Sequence, residues 1–169
     1  KGIDATIGVA LTDDHVPMSL PSLVSAVSLP VEEVVSYASG FGIPALRHAW
    51  ANDLLAKNPS FHGVTSVPVV TAGLTHSLSI AGQLFLDPGE RVLVPAPFWD
   101  NYELLFAQGC AAMVEPFPLF AEDEFNLTGL SQRLATSTGK IVLLLNFPQN
   151  PTGYSIRKKE AQEVAMLLK

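Results

Sequence analysis

The sequence predicts an α/β domain of three layers, in which helices cover both faces of a mostly parallel sheet. The 169 residues are 48% hydrophobic, with a mean hydropathy of +0.30, which is enough to bury the core of one domain. From Val67 onward, short apolar runs alternate with stretches of helical period, as in βα units. The run at 141–145 is apolar at every position, so we expect a central strand there, covered on both faces.

The predicted elements follow one another along the chain. Strands are predicted at 67–71, 91–95, 112–116 and 140–146, and helices near 74–86, 99–108, 128–138 and after Ser155. The last helix should bury one face, formed by Ala161, Val164, Ala165 and Leu168. Because the sheet would then end on a helix with no closing strand, we expect the chain to be part of a larger domain.

The first sixty residues have a different pattern. We expect an extended piece at 6–10, a helical stretch near 22–29, and a helix that begins at Pro44 and ends near Lys57. Proline is a favoured first residue of a helix. We therefore predict an N-terminal segment at 1–40, belonging to a partial small domain or arm, and a partial large domain at 41–169.

The composition argues against several partners. A net charge of −6 and a pI near 5.1 would repel phosphate backbones and anionic lipid, so we expect neither nucleic acid nor a membrane as partner. No run reaches the roughly 18 apolar residues of a membrane span. The single Cys110 and four scattered histidines predict no metal site. A lone cysteine fits a reducing compartment, and a cytoplasmic location is expected.

Gly73 stands where a predicted strand passes directly into a helix. The first amides of a helix have no intrahelical partner, and together with the helix dipole they favour an anion such as phosphate. Thr75 would add a hydroxyl group to such a site. Taken alone, these residues are better explained by an ordinary turn between a strand and a helix.

Two further loops leave predicted strands at the same edge of the sheet. Trp99 lies in an aromatic loop, where its ring can stack on a planar ligand or pack into the core. Asn150 opens an Asn-Pro-Thr-Gly turn, which turn chemistry alone would explain. Turn chemistry does not require a side-chain amide beside both an aromatic ring and an anion site. The three loops together therefore predict a ligand site.

With these motifs in this order, the chain resembles the class I and II aminotransferases of pyridoxal-phosphate fold type I, of which aspartate aminotransferase is the best known. The resemblance runs along nearly the whole chain. It implies that Gly73, Leu74 and Thr75 bind the phosphate of pyridoxal 5'-phosphate, Leu74 through its backbone. It also implies that Trp99 stacks on the pyridine ring and that Asn150 hydrogen-bonds the 3′ oxygen of that ring.

The resemblance extends to the N-terminal segment. Gly8, in Ile-Gly-Val, is similar to a family glycine that contacts the substrate carboxylate. Tyr37, followed at the right interval by Gly-Ile-Pro, resembles a tyrosine that reaches the cofactor phosphate of the neighbouring subunit, which implies a homodimer. Tyr102 stands where the aspartate enzymes commonly have histidine, and Leu74 where they often have glycine or serine. These two departures leave the substrate class open.

The activity that the resemblance implies is transfer of an amino group between an amino acid and a 2-oxo acid. No lysine here follows the family's pattern for the residue that bonds to the cofactor. The resemblance implies that this lysine, the aspartate and the arginines of the family site lie beyond residue 169. We therefore assign no catalytic residue and expect residues 1–169 alone to bind phosphate or cofactor weakly, without turnover. Three alternatives remain: a lyase or synthase of the same fold, an aminotransferase-like ligand-sensing domain of a transcription regulator, and a plain structural domain.

Overall fold

A computed structural model describes residues 8–169. The chain divides into two compact units, Lys1–Pro68 and Val69–Lys169. The described part of the first unit contains three helices, which are α1 (Pro21–Val24), α2 (Val31–Val35) and α3 (Pro44–Lys57). The bounds predicted for the third helix are confirmed, with proline as its first residue. The extended piece predicted at 6–10 lies partly outside the described residues.

The second unit carries the sheet. Its elements are α4 (Leu74–Phe85), β1 (Arg91–Ala96), a π-helix (Glu103–Gln108), β2 (Met113–Pro118), β3 (Phe120–Ala121), β4 (Glu124–Phe125), α5 (Leu127–Thr136), β5 (Ile141–Leu143) and α6 (Lys158–Leu167). Strand β1 pairs in parallel with both β2 and β5, so the strand order is β2-β1-β5. Strands β3 and β4 form a short antiparallel hairpin. The predicted parallel sheet is confirmed.

Alternate side chains of β1 pack against different helical layers. Val92 and Val94 belong to a buried cluster with Phe106 of the π-helix, and the half-buried Leu78 of α4 packs against this cluster. Leu93 points to the opposite face, where it belongs to a second cluster. That second cluster is completed by α5 and α6, through Leu130 and Val164. The predicted three-layer architecture is therefore confirmed, and each of these buried side chains contributes about 1.5–3 kcal/mol relative to exposure.

The prediction of a strand at 67–71 is wrong, since these residues form no strand in the structure. A side chain of the first unit takes two of the carbonyl groups that a sheet would use. Arg47 Nε donates to the carbonyl of Pro68 at 2.6 Å, and its Nη2 donates to the carbonyl of Val67 at 3.3 Å. These two carbonyl groups are thus bound by a guanidinium group instead of a neighbouring strand.

The prediction that the run at 141–145 forms the central strand is also wrong for the described residues. Strand β1 is central, and β5 pairs only with it at the edge of the three-stranded sheet. The side chains of β5 are half-buried and pack on both faces, Val142 in one cluster and Leu143 in the other. An entirely apolar run indicates that both faces of a strand are covered by other elements. It does not indicate how many strands pair with it.

The prediction of which residues the last helix buries is only partly correct. Val164 is buried, whereas Ala161, Ala165 and Leu168 are exposed. Helix α6 buries Glu160 instead, which is 4% exposed. Its carboxylate accepts hydrogen bonds from the Phe125 N–H at 2.9 Å and from the Tyr154 hydroxyl at 2.7 Å. Hydrogen bonding offsets the cost of burying this charge.

No helix within residues 8–169 has the length and apolar character needed to cross a membrane. In the same part of the chain, no three His, Cys, Asp or Glu side chains come together in a group that could hold a metal ion.

Candidate functional site

The loops that carry the predicted ligand residues meet at the carboxyl edge of the sheet. Strands β1 and β5 are parallel, so the loop with Trp99 and the loop with Asn150 leave at the same edge. Helix α4 reaches β1 through a short reversal at 86–90 and packs on the sheet through Leu78. It therefore runs back across the sheet face and begins, after Gly73, at that edge as well. Open α/β sheets bind their ligands at such edges.

Gly73 turns the chain sharply into α4. Its backbone has φ +86° and ψ 175°, a region that is essentially restricted to glycine. A Cβ added at this position would meet no atom within 4 Å, so backbone conformation rather than space requires the glycine. No side chain caps α4, and Leu74 and Thr75 are exposed. The first amides of the helix therefore remain available to an anion from solution.

Side chains around Gly73 form hydrogen bonds that stabilise the corner at 71–77, where the chain turns into α4. Thr71 Oγ1 donates to the Gly73 carbonyl at 3.1 Å and lies 2.5 Å from Ser77 Oγ. The Ala72 N–H donates to His76 Nδ1 at 3.1 Å. Sequence reasoning did not identify Thr71, His76 and Ser77 as part of the corner. For His76 and Ser77 the signal was a polar side chain four residues after Ala72 and after Gly73, across the start of the helix, whereas Thr71 had no such signal.

Trp99 is half-buried and borders a core cluster. Its ring meets Tyr102 edge-on, with centroids 5.8 Å apart and an interplanar angle of 85°. Tyr102 is buried, stacks on Phe98 at 6.1 Å, and burial raises the pKa of its hydroxyl. Packing into the core and stacking on a ligand are therefore compatible for Trp99. One part of its ring packs on the core, and the remainder stays accessible.

Asn150 is exposed in the loop that follows β5. Among residues 8–169, no group hydrogen-bonds its side-chain amide. The turn itself is closed by the backbone: the Gly153 N–H donates to the Gln149 carbonyl at 2.6 Å, and the Gln149 N–H donates to the Tyr154 carbonyl at 2.7 Å. A hydrogen-bonded turn thus presents the side-chain amide of Asn150 at the surface.

A direct contact joins the Trp99 loop to the Asn150 loop. The side chain of Gln149, which is 2% exposed, donates from Nε2 to the backbone carbonyl of Pro97. Sequence reasoning missed Gln149, because nothing in its neighbours distinguishes it from an ordinary polar loop residue. Its burial is the property that identifies it, and burial is visible only in the structure.

Gly8 and Tyr37, the other two predicted ligand residues, belong to the first compact unit. Gly8 is exposed, while its neighbour Ile7 lies outside the described residues. The side chain of Tyr37 is fully exposed. Their roles toward substrate and phosphate stay predictions.

A family model described as aminotransferase class I and II matches residues 8–169. The chain belongs to the class I and II aminotransferases. An aspartate/prephenate aminotransferase of Thermus thermophilus is 32% identical over 174 residues, covering 99% of this chain and 43% of that protein. An aspartate aminotransferase of Musicola paradisiaca is 29% identical over 141 residues, covering 83% of this chain and 35% of that protein. The family resemblance found in the sequence is confirmed.

Solved structures agree with this aminotransferase fold. The crystal structure of an aminotransferase from Anaerococcus prevotii matches with a TM-score of 0.88 and 25% identity, covering 98% of this chain and 41% of that one. A single mutant of the aspartate aminotransferase of Thermus thermophilus matches with a TM-score of 0.68 and 29% identity, covering 81% of this chain and 35% of that one. The present chain therefore spans less than half the length of the relatives it matches.

Proposed function

We propose that the whole protein is a pyridoxal-phosphate-dependent aminotransferase, which transfers an amino group between an amino acid and a 2-oxo acid. The observation that carries the proposal is the arrangement at the carboxyl edge of the sheet, in a chain of this family. An uncapped helix start, a half-buried tryptophan ring and a side-chain amide with no partner among residues 8–169 share that edge. A plain structural domain would have no need for the three together.

The chemistry of these donors fits pyridoxal phosphate. Its phosphate is an anion, and α4 offers backbone amides after Gly73 with the Thr75 hydroxyl beside them. The cofactor ring is planar and aromatic, which suits stacking on Trp99. Its ring oxygen is an acceptor, and Asn150 has a free amide donor. When bound, the cofactor supplies an electron sink that labilises bonds at the α-carbon of an amino acid, while the protein supplies binding, orientation and electrostatics.

The remaining roles belong to the same proposal. Gly8 would contact the substrate carboxylate, and Tyr37 would reach the phosphate in the other subunit of a homodimer. The full exposure of the Tyr37 phenol supports this, because it leaves the hydroxyl free for a partner. The segment at 1–40 would belong to a small domain or arm and the residues at 41–169 to the large domain, in a cytoplasmic enzyme.

The test is an assay of the full-length protein with pyridoxal phosphate, varied amino acids and 2-oxo acids. Aspartate is the first donor to try, because several relatives are named aspartate aminotransferases. We expect transfer that depends on added cofactor. Absence of transfer with every pair would contradict the proposal, and elimination products without transfer would favour the lyase or synthase.

The variant Asn150→Ala should weaken cofactor binding about tenfold, since it removes one hydrogen bond at a partly desolvated site. Asn126→Ala is the matched control. Asn126 accepts a hydrogen bond from the Gly129 N–H at 2.8 Å and so caps α5. Its loss should cost about 1 kcal/mol of stability and leave cofactor affinity unchanged. Equal affinities in the two variants, measured by cofactor titration, would exclude the proposed role of Asn150.

A further inference from the structure

We propose that Gln149 is the positioning residue of this edge: its side chain holds the Trp99 loop and the Asn150 loop at a fixed separation. The inference deepens the proposed function and rests on it, since the separation matters for a ligand that contacts both loops. Gln149 is 2% exposed, so it acts on a ligand through Trp99 and Asn150 instead of touching it.

Every hydrogen-bonding site of the Gln149 side chain is used. Nε2 donates to the Pro97 carbonyl and, at 2.9 Å, to the Asn150 carbonyl. Oε1 accepts from the Thr152 N–H at 2.9 Å and from Thr152 Oγ1 at 2.6 Å. A glutamine amide has two donor hydrogens and one oxygen with two lone pairs, so its capacity is filled. Such a saturated buried group holds its partners firmly, because breaking any bond leaves a desolvated polar atom.

The contact joins parts of the chain that are far apart in sequence. Pro97 and Gln149 are 52 residues apart, and each lies in a loop beyond the end of a strand. Loops are held less firmly than the strands they follow, so a bond between two of them limits their relative movement. Trp99 lies two residues after the anchored Pro97 carbonyl, and the carbonyl of Asn150 is bound by the same amide nitrogen. The Gln149 side chain therefore fixes the positions of both Trp99 and Asn150.

Only glutamine has the right combination of length and donors here. Glutamate is of equal length, but its ionised carboxylate has no donor and would face the carbonyls of Pro97 and Asn150. Asparagine is shorter by one methylene group. Methionine is close to glutamine in shape and lacks the amide, so Gln149→Met removes the four bonds while it preserves the packing. It is therefore the informative substitution.

The first measurement is hydrogen–deuterium exchange of the full-length protein without cofactor, followed in peptides that cover 96–103. Gln149→Met should raise amide exchange in these peptides about tenfold, since the loop loses its anchor. The control is Tyr154→Phe, in the same loop. It removes the bonds from the hydroxyl to Glu160 at 2.7 Å but makes no contact with Pro97. It should leave exchange at 96–103 as in the wild type.

The second measurement is pyridoxal phosphate affinity by titration, at a temperature where all variants are folded. We expect a loss of about tenfold for Gln149→Met and less than about twofold for Tyr154→Phe. Gln149→Ala, which leaves room for water, should also lower the affinity for pyridoxal phosphate. It replaces Gln149→Met if that variant fails to fold. Unchanged exchange at 96–103, or faster exchange with unchanged affinity, would overturn the positioning role. Failure of the wild type to bind cofactor would instead overturn the proposed function, and the exchange data would still decide whether Gln149 couples the loops.

Discussion

Gly73 has the backbone conformation on which the start of α4 depends. At φ +86° and ψ 175° it occupies a region that costs other residues about 1–3 kcal/mol. The conformation turns the chain so that the amides of Leu74 and Thr75 begin the helix without a side-chain cap. A single residue therefore contributes both to stability and to the direction in which the amides point.

Gly73→Ala should lower the free energy of unfolding by about 1–3 kcal/mol and weaken the binding of pyridoxal phosphate and of inorganic phosphate. The loss of stability follows from strain, and the loss of affinity follows from amides that turn away from the anion. Urea denaturation and ligand titration measure the two effects separately.

Gly89→Ala is the matched control for this substitution. Gly89 also has a positive φ, +83°, with free space for a Cβ, but it lies in the turn before β1. The Gly89→Ala variant should be less stable than the wild type but should bind phosphate with the same affinity. If both glycine variants bind phosphate equally well, Gly73 has no part in the anion site.

Helix α6 is anchored at its start by a buried carboxylate. Burial by itself would raise the pKa of Glu160, but hydrogen bonds from the Phe125 N–H, the Arg157 N–H and the Tyr154 hydroxyl lower the pKa below the ordinary value of 4.5. The same contact raises the pKa of Tyr154, where burial is the larger cause. These bonds tie the start of α6 to β4 and to the Tyr154 side chain.

The lowered pKa of Glu160 predicts a specific loss of stability in acid. Between the folded pKa and 4.5 the unfolded state binds more protons than the folded state, so stability falls as the pH falls. The contribution of Glu160 should be complete above pH 4.5 and disappear as the pH drops through the folded pKa. The stability difference between wild type and Glu160→Gln, from urea denaturation at pH 3 to 7, should therefore narrow only below about pH 4.5.

Glu33→Gln, an exposed substitution in α2, serves as the control for this pH series. The free energy of unfolding of Glu33→Gln should have the same pH dependence as that of the wild type from pH 3 to 7. A difference between wild type and Glu160→Gln that stays constant from pH 7 to pH 3 would mean that the Glu160 carboxylate has no lowered pKa.

The first compact unit exposes an unusual amount of apolar surface. All three valines of α2, Val31, Val34 and Val35, are between 65% and 75% exposed. Exposed apolar side chains that lie this close together mark interaction surfaces more often than free surface. The proposed homodimer would bury such side chains.

We expect the full-length protein to sediment as a dimer at micromolar concentration. A double substitution, Val31→Glu with Val35→Glu, should shift it toward the monomer, because two charges would enter an apolar interface. Ala165→Glu, on the exposed side of α6, should remain a dimer. A wild-type protein that sediments as a monomer at all concentrations would contradict the homodimer.

Much of the fold follows from local patterns in the chain. Proline at position 44 marks the start of α3, and the helical period after Gly73 marks α4, because both depend on residues a few positions apart. The family motifs around Gly73, Trp99 and Asn150 are also short and contiguous. The fold class and the family were accordingly readable from the sequence alone.

Other properties arise between distant residues, and local patterns carry no information on them. The central position of β1 depends on which strands pair with it, and the carbonyl groups of Val67 and Pro68 are bound by the distant Arg47 side chain instead of a strand. Glu160 is buried only because Phe125 and Tyr154 supply hydrogen bonds. The sequence thus determined the fold class, the family, the motifs of the site and most of the elements, but not the strand predicted at 67–71. Only the tertiary structure decided strand order, the burial of Glu160 and the Gln149 link, because each depends on contacts that form when distant segments meet.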